Sequence, residues 1–264
     1  MDSPGVGSRI RFHGYRGGII AMHRALAHFV LDPWDLIVAV ALVILFLCLW
    51  AISLPRLCRF WTIVLGKGMR ILALPGALGL HPYHLGAYIW FTLPYPMMEG
   101  VSPSAATWWW TAGIVLLLFV ASLFFPPSLT PVTYLLRVLL VVQTSALVYF
   151  IWAPARFPHT PDSYMEGLVT YGIALISFVP VVFGLTYYVF DFGLPRKALL
   201  TILTMLHLSL FLPLQVLLQA IVLQKSVLFM PLLYIVFGLP IDVLIIIAFY
   251  SWGMSWASRT SSIT

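Results

Sequence analysis

Six stretches of this chain carry almost no charge, and each is long enough to cross a lipid bilayer as a helix. Because a helix rises about 1.5 Å per residue, roughly 20 residues cross the hydrocarbon core. Lipid offers no hydrogen bonds, so each stretch has to pair its own backbone groups by forming a helix. The six predicted spans cover residues 36–54, 107–125, 132–153, 167–190, 198–223 and 227–252, and we expect Pro55 to end the first of them.

The composition agrees with a chain that is dissolved in a bilayer. Hydrophobic residues make up 62% of the 264 residues and charged residues 8%, whereas soluble domains carry about 25% charged residues. The predicted fold class is therefore all-α, a polytopic transmembrane helical bundle of about six spans. We expect an interfacial amphipathic segment at residues 1–31, a single transmembrane domain at 32–256 and a short tail at 257–264.

Four dipeptides combine a good helix N-cap with proline, which is tolerated in the first helical turn. Each lies just before an apolar run, as expected where a helix enters lipid and its first N–H groups need partners. These predicted helix starts are Asp32-Pro33, Ser102-Pro103, Thr130-Pro131 and Thr160-Pro161.

The stretch at residues 71–98 is uncharged but does not resemble a single helix. Four prolines interrupt it, at positions 75, 82, 94 and 96, together with several glycines. Proline removes a helical hydrogen bond and clashes with the preceding turn. We expect an irregular or re-entrant segment that is buried against protein, and a seventh span is the alternative.

The net charge of +6 favours contact with membrane lipids over nucleic acid, which we do not expect as a partner. Basic residues cluster beside the first apolar run, where they can meet anionic headgroups. The two cysteines, Cys48 and Cys58, indicate neither a disulfide framework nor a zinc site, so no metal is expected. Nothing in the sequence identifies a cofactor, and a bound pigment, quinone or lipid stays open.

Ionisable side chains inside spans are costly and are the first candidates for function. Asp242 lies near the middle of the sixth predicted span, next to Gly238-Leu239-Pro240, which can break a helix and free carbonyl groups. His207, Gln215 and Gln219 share a broad face of the fifth span, and we expect that face to point into protein. These residues could instead make only structural hydrogen bonds between helices.

Four further side chains are candidates nearer the membrane surface. Arg137 could snorkel to the interface or hold an anionic lipid headgroup. His81 and His84 are three residues apart in the 71–98 segment, where interfacial anchoring is favoured over metal binding. His159 belongs to a polar group that fits a helix start better than a metal site.

No motif for nucleotide binding, zinc proteolysis or serine hydrolysis occurs in the chain. We therefore predict a non-catalytic integral membrane subunit that anchors or scaffolds a larger complex with partner membrane proteins. One alternative is a transporter or channel component that uses Asp242 and His207. Another is an intramembrane enzyme for a lipid or lipid-linked substrate. The expected location is a bacterial inner membrane or an equivalent energy-transducing or endomembrane bilayer.

Overall fold

The computed structural model describes residues 33–85, 89–153, 157, 159–187 and 194–257. Five of its helical segments are long and apolar enough to cross a membrane, and one further apolar helix is shorter. The predicted all-α membrane bundle is thereby confirmed. The elements are α1 (Pro33–Ile71), β1 (Ala77–Leu85), β2 (Ile89–Met97), α2 (Ala105–Ala121), α3 (Thr130–Trp152), α4 (Pro161–Thr186), α5 (Leu194–Leu223), α6 (Met230–Phe237) and α7 (Leu239–Ala257).

Two predicted segments lie outside the described residues. They are the amphipathic segment at 1–31 and all but the first residue of the tail at 257–264. Between these ends, short 3-10 turns at Pro127–Leu129 and Val227–Phe229 precede α3 and α6.

The predicted helix starts are correct in part. The Thr160 hydroxyl accepts a hydrogen bond from the backbone N–H of Ser163, as an N-cap does. At the start of α2 the cap is Ser104, not Ser102, and it accepts from the N–H of Thr107. Thr130 begins α3 without acting as its side-chain cap.

Helix α5 lies at the centre of the bundle, where it contacts α1, α4, α6, α7 and β2. Leu200, Leu212 and Val216 are almost fully buried there. Hydrogen bonds from tryptophans add to this packing: the indole of Trp61 donates to the carbonyl of Ser209, and that of Trp50 donates to the Ser177 hydroxyl on α4. Such bonds have no competition from water inside a bilayer.

Helix α1 is much longer than the predicted first span, which was wrong in ending at Pro55. The helix continues through Pro55 to Ile71, over 39 residues. Proline removes one hydrogen bond from a helix, but tertiary packing compensates, because Leu54 and Cys58 on either side are buried against the bundle. The residues that were expected to follow the span therefore belong to the same helix.

Ala77–Leu85 and Ile89–Met97 pair as a regular antiparallel hairpin, so both the irregular path and the seventh helical span were wrong there. The hairpin contains three prolines, Pro82, Pro94 and Pro96. All three are at even-numbered positions, which form every second pair of the ladder. In an antiparallel ladder, alternate pairs point their N–H groups away from the partner strand. A proline at such a position removes no hydrogen bond between the strands, so the ladder forms even with three prolines in it.

One face of the hairpin packs on the helices. Leu93 is almost fully buried, and the hydroxyls of Tyr83 and Thr170 on α4 lie 3.5 Å apart. The carboxylate of Asp162 accepts a hydrogen bond from the N–H of Met98, where the second strand leaves the sheet. A lone two-stranded hairpin is marginally stable, so these contacts are needed to hold it.

The sixth predicted span corresponds to one apolar segment, Val227–Gly253, which Gly238 divides into α6 and α7. The break itself was anticipated from the glycine and from Pro240. A Cβ at position 238 would overlap the carbonyl oxygen of Tyr234, which explains why glycine is needed. The new helix starts at Leu239, and Pro240 occupies its first turn without losing a helical hydrogen bond.

The close approach of α4 to α1 depends on Gly184, where a Cβ would overlap Cγ2 of Val43. Because valine is stiff at χ1, we expect Gly184→Ala to lower the free energy of unfolding by about 1–3 kcal/mol. Gly113→Ala on α2 is the matched control, since apart from the adjoining residues and the backbone of its own helix no described atom lies within 4 Å of its Cβ position. Denaturant unfolding in mild detergent measures both variants, and equal effects would contradict the packing.

Candidate functional site

The buried carboxylate of Asp242 lies in the first turn of α7, where the helix dipole favours a negative charge. Its side chain is 5% exposed. The amide nitrogen Nε2 of Gln215 on α5 donates a hydrogen bond to Oδ1 at 2.8 Å. The structure thus brings together two of the predicted intramembrane candidates, at the start of the second helix of the apolar segment Val227–Gly253.

Gln219 lies one turn further along α5 and occupies the helix break. Its Nε2 donates to the carbonyl of Phe237, the last residue of α6, at 2.6 Å. Its Oε1 accepts from the hydroxyl of Tyr164 on α4. The carbonyl that the break frees is therefore satisfied by protein, and the two glutamines connect α4, α5, α6 and α7.

Two polar groups in this region lack the partners expected for their burial. The Gln215 Oε1 atom is buried without a hydrogen bond within the described part of the chain. Across the same residues, no nitrogen of Lys, Arg or His lies within 4.0 Å of the Asp242 carboxylate. A buried carboxylate that has only a neutral donor is costly, and this makes Asp242 the strongest candidate for a functional group inside the bundle.

His207 was expected to face protein together with the glutamines, and that prediction was wrong. Its side chain is exposed on the outer surface of α5. The ring contacts Phe211 and Phe249, with centroids 5.7 and 5.4 Å away. At about 100° per residue, His207 is about 80° from Gln215, which places it beyond the edge of the buried face. It therefore does not meet Asp242.

Arg137 reaches the end of the neighbouring helix α2. Its Nε donates to the Ser122 hydroxyl and its Nη2 to the Ser122 carbonyl, both at 3.3 Å. Ser122 is the C-cap of α2, where a cation interacts favourably with the unpaired carbonyl groups. The prediction that this side chain snorkels to the interface stays a prediction.

The two hairpin histidines lie on opposite faces of β1, because residues three apart in a strand alternate sides. His81 is on the inner face, where its Nδ1 is 2.9 Å from Oε1 of Glu166. His84 is on the outer face beside Trp90, with ring centroids 5.4 Å apart. Since the side chains diverge, a metal ion shared by both is excluded.

Carboxylates of α4 set the charge on the inner face of the hairpin. Desolvation raises the pKa of the Tyr95 phenol, and the negative charges of Glu166 and Asp162 raise it further. Tyr95 therefore stays a neutral hydrogen-bonding group here. His159 is exposed near Phe157, and among the described residues no group of three His, Cys, Asp or Glu side chains could hold a metal ion.

The structure shows a feature that the sequence analysis missed, a row of four cations along the second half of α1. Their positions fall within an arc of about 80° on the helix, extending over about 21 Å. All are exposed, on the face opposite the buried Cys58. This row, called the cationic stripe below, consists of Arg56, Arg59, Lys67 and Arg70.

Along the bundle axis, the cationic stripe is level with helix α5 and does not lie past its ends. Trp61, between the two pairs of cations, bonds the carbonyl of Ser209, which is at the middle of the 30-residue helix α5. Further along, a Cβ at Gly68 would overlap the side chain of Leu217. Within the described chain no carboxylate oxygen lies within 4.0 Å of these cations.

No protein-family model, curated protein or solved structure matches this chain. Its role has to be inferred from its own geometry. By that geometry it is a multi-helix membrane protein with a buried carboxylate–amide cluster and an exposed cationic stripe.

The contact between Gln215 and Asp242 can be measured by a double-mutant cycle. Because Gln215→Met leaves the carboxylate without its donor, we expect this change to cost more in the Asp242 protein than in an Asp242→Leu background. The coupling should be about 0.6–2 kcal/mol. Denaturant unfolding in detergent measures it.

The control for this cycle is Gln143→Met. Gln143 is equally buried, but its amide donates to the carbonyl of Leu228, away from Asp242. Its effect should add to that of Asp242→Leu. Simple additivity for Gln215 as well would show that the 2.8 Å contact has no energetic role.

Proposed function

We propose that this protein is a non-catalytic subunit of a larger membrane assembly, in which the cationic stripe of α1 is covered by a partner membrane protein. The single observation that carries the proposal is the position of Arg56 and Arg59, exposed beside the middle of α5. We propose a bacterial inner membrane, or an equivalent energy-transducing or endomembrane bilayer, as its location.

The physical argument starts from the position of Ser209. A 30-residue helix that crosses the bilayer symmetrically places its middle near the bilayer centre. Arg59 is about half a helical turn from Trp61, the residue that bonds Ser209. An arginine near the bilayer centre costs about 2.5 kcal/mol or more when it faces lipid. Carboxylates or carbonyl groups of a partner helix would remove that cost.

Other polar side chains of the bundle support a structural role. Trp50, Trp61, Gln143 and Gln219 each hydrogen-bond a different helix or turn, so they hold the bundle together. Hydrogen bonds between helices stabilise their packing inside a membrane. The cations of the stripe have no comparable partner on another element in the described residues.

A photocrosslinking amino acid at Ile63, which lies within the stripe and is 56% exposed, tests the proposal in native membranes. We expect it to capture one defined membrane protein, which mass spectrometry identifies. The double variant Arg56→Glu/Arg59→Glu should reduce that product at least about tenfold, because like charges then face each other. The same probe at Leu206, exposed on α5, is the control position.

Arg196→Glu is the matched charge control, since Arg196 is exposed in the first turn of α5, away from the stripe. It should leave the Ile63 product unchanged. Crosslinks from Ile63 to lipid alone, together with a chain that is monodisperse and stable by itself in detergent, would refute the subunit proposal.

A second function, a component of a transporter or channel, is favoured by one observation. Asp242 is buried beside a helix break, and among the described residues its carboxylate accepts a hydrogen bond from neutral Gln215 alone. Intramembrane carboxylates relay protons in pumps and transporters, and broken helices form ion and substrate sites in secondary transporters. His207 has no part in this version, because it faces outward.

Substitution of Asp242 separates the two functions. Asp242→Asn keeps the size and an acceptor oxygen for Gln215 but cannot be ionised. If Asp242 carries ions, the variant should lose proton- or cation-dependent flux in proteoliposomes while still giving the Ile63 crosslink. Unchanged flux in the variant would exclude the transport role of Asp242.

A further inference from the structure

The guanidinium of Arg137 has positive charge that its neighbours do not neutralise. Both of its hydrogen bonds go to neutral oxygens of Ser122, at 3.3 Å. Arginine has five N–H donors, so others are available. In the described part of the chain no carboxylate oxygen lies within 4.0 Å of this group. An anion from outside the chain would complete its coordination.

An apolar groove begins about one helical turn from Arg137, between α2 and α3. Phe119 and Leu140 line the end next to the arginine, and Trp108 and Ile151 line the other end. The groove has a volume of about 720 Å³. From Trp108 to Phe119 it extends about 16 Å along α2, close to the roughly 15 Å of one hydrocarbon leaflet.

The length of α2 brings lipid headgroups towards Arg137. The helix has 17 residues and is about 26 Å long, whereas the hydrocarbon core is about 30 Å thick. A helix that is too short thins the bilayer around it. Headgroups are then drawn inward at both ends of α2, and one of these ends is Ser122, where the Arg137 guanidinium lies.

We propose that Arg137 and the α2–α3 groove form a binding site for an anionic phospholipid. The phosphate accepts hydrogen bonds from the free N–H groups of Arg137, and one acyl chain lies in the groove as far as Trp108. Charge complementarity selects an anionic lipid, because the site offers a cation at one end and apolar side chains along the rest. The site consists of residues of α2 and α3 and includes none of α1, so it does not depend on the proposed partner.

Native mass spectrometry of the purified full-length protein tests the site after delipidation and titration with phosphatidylglycerol or phosphatidylcholine. We expect one phosphatidylglycerol molecule to bind at least about tenfold more tightly than phosphatidylcholine, as a charge-assisted bidentate contact would give. Arg137→Gln should abolish the preference, and Arg137→Lys should keep part of it. Arg196→Gln, at an exposed arginine outside the groove, should bind as the unaltered protein does.

Ala112→Leu tests the groove itself, because Ala112 lines it and the larger side chain would fill part of the space. We expect it to weaken binding of both lipids while circular dichroism shows an unchanged helical content. Inorganic phosphate should fail to displace the lipid, since it cannot occupy the groove. Equal binding of both lipids, an undiminished preference in Arg137→Gln, or full displacement by phosphate would overturn the proposal.

Discussion

The absence of water from the hydrocarbon core is the constraint on which the rest of this structure depends. Every amide, carboxylate and carbonyl group inside the bundle has to find a partner on the chain, or remain at a large cost. Gln219 meets this requirement by bonding the carbonyl that the break after Phe237 frees. Gln215 does the same for Asp242. The two amides therefore satisfy the polar groups on either side of the helix break, which would be costly in the bundle without them.

The spans were predictable from the sequence because about 20 consecutive apolar residues have few alternatives to a membrane helix. The break at Gly238 and the inward position of Gln215 and Gln219 followed from local chemistry in the same way. The predictions that were wrong concerned features that depend on tertiary contacts. Pro55 was expected to end a helix that burial of Leu54 and Cys58 carries onward, and ending the helix there hid the alignment of the four cations.

The hairpin and the position of His207 also could not be predicted from local sequence patterns. Strand pairing connects residues up to 20 positions apart, and no local pattern in a proline-rich stretch specifies it. His207 and Gln215 are on neighbouring sides of α5, and the boundary of the buried face passes between them. A side chain near such a boundary can be placed only when the neighbouring helices are known. The polar groups are thus divided in two: amides whose nitrogens bond other elements inside the bundle, and the cations of α1, which are exposed at its surface.

The positions of the three hairpin prolines have a consequence for how copies of this protein behave towards each other. An exposed strand edge normally attracts another strand through its unpaired N–H groups and can start aggregation. Pro82, Pro94 and Pro96 lie at positions whose nitrogens point away from the paired strand, so these donors are missing from the outer edges. The edge of β1 lacks one donor, at Pro82, and the edge of β2 lacks two of its four, so β2 above all is a poor template for a third strand.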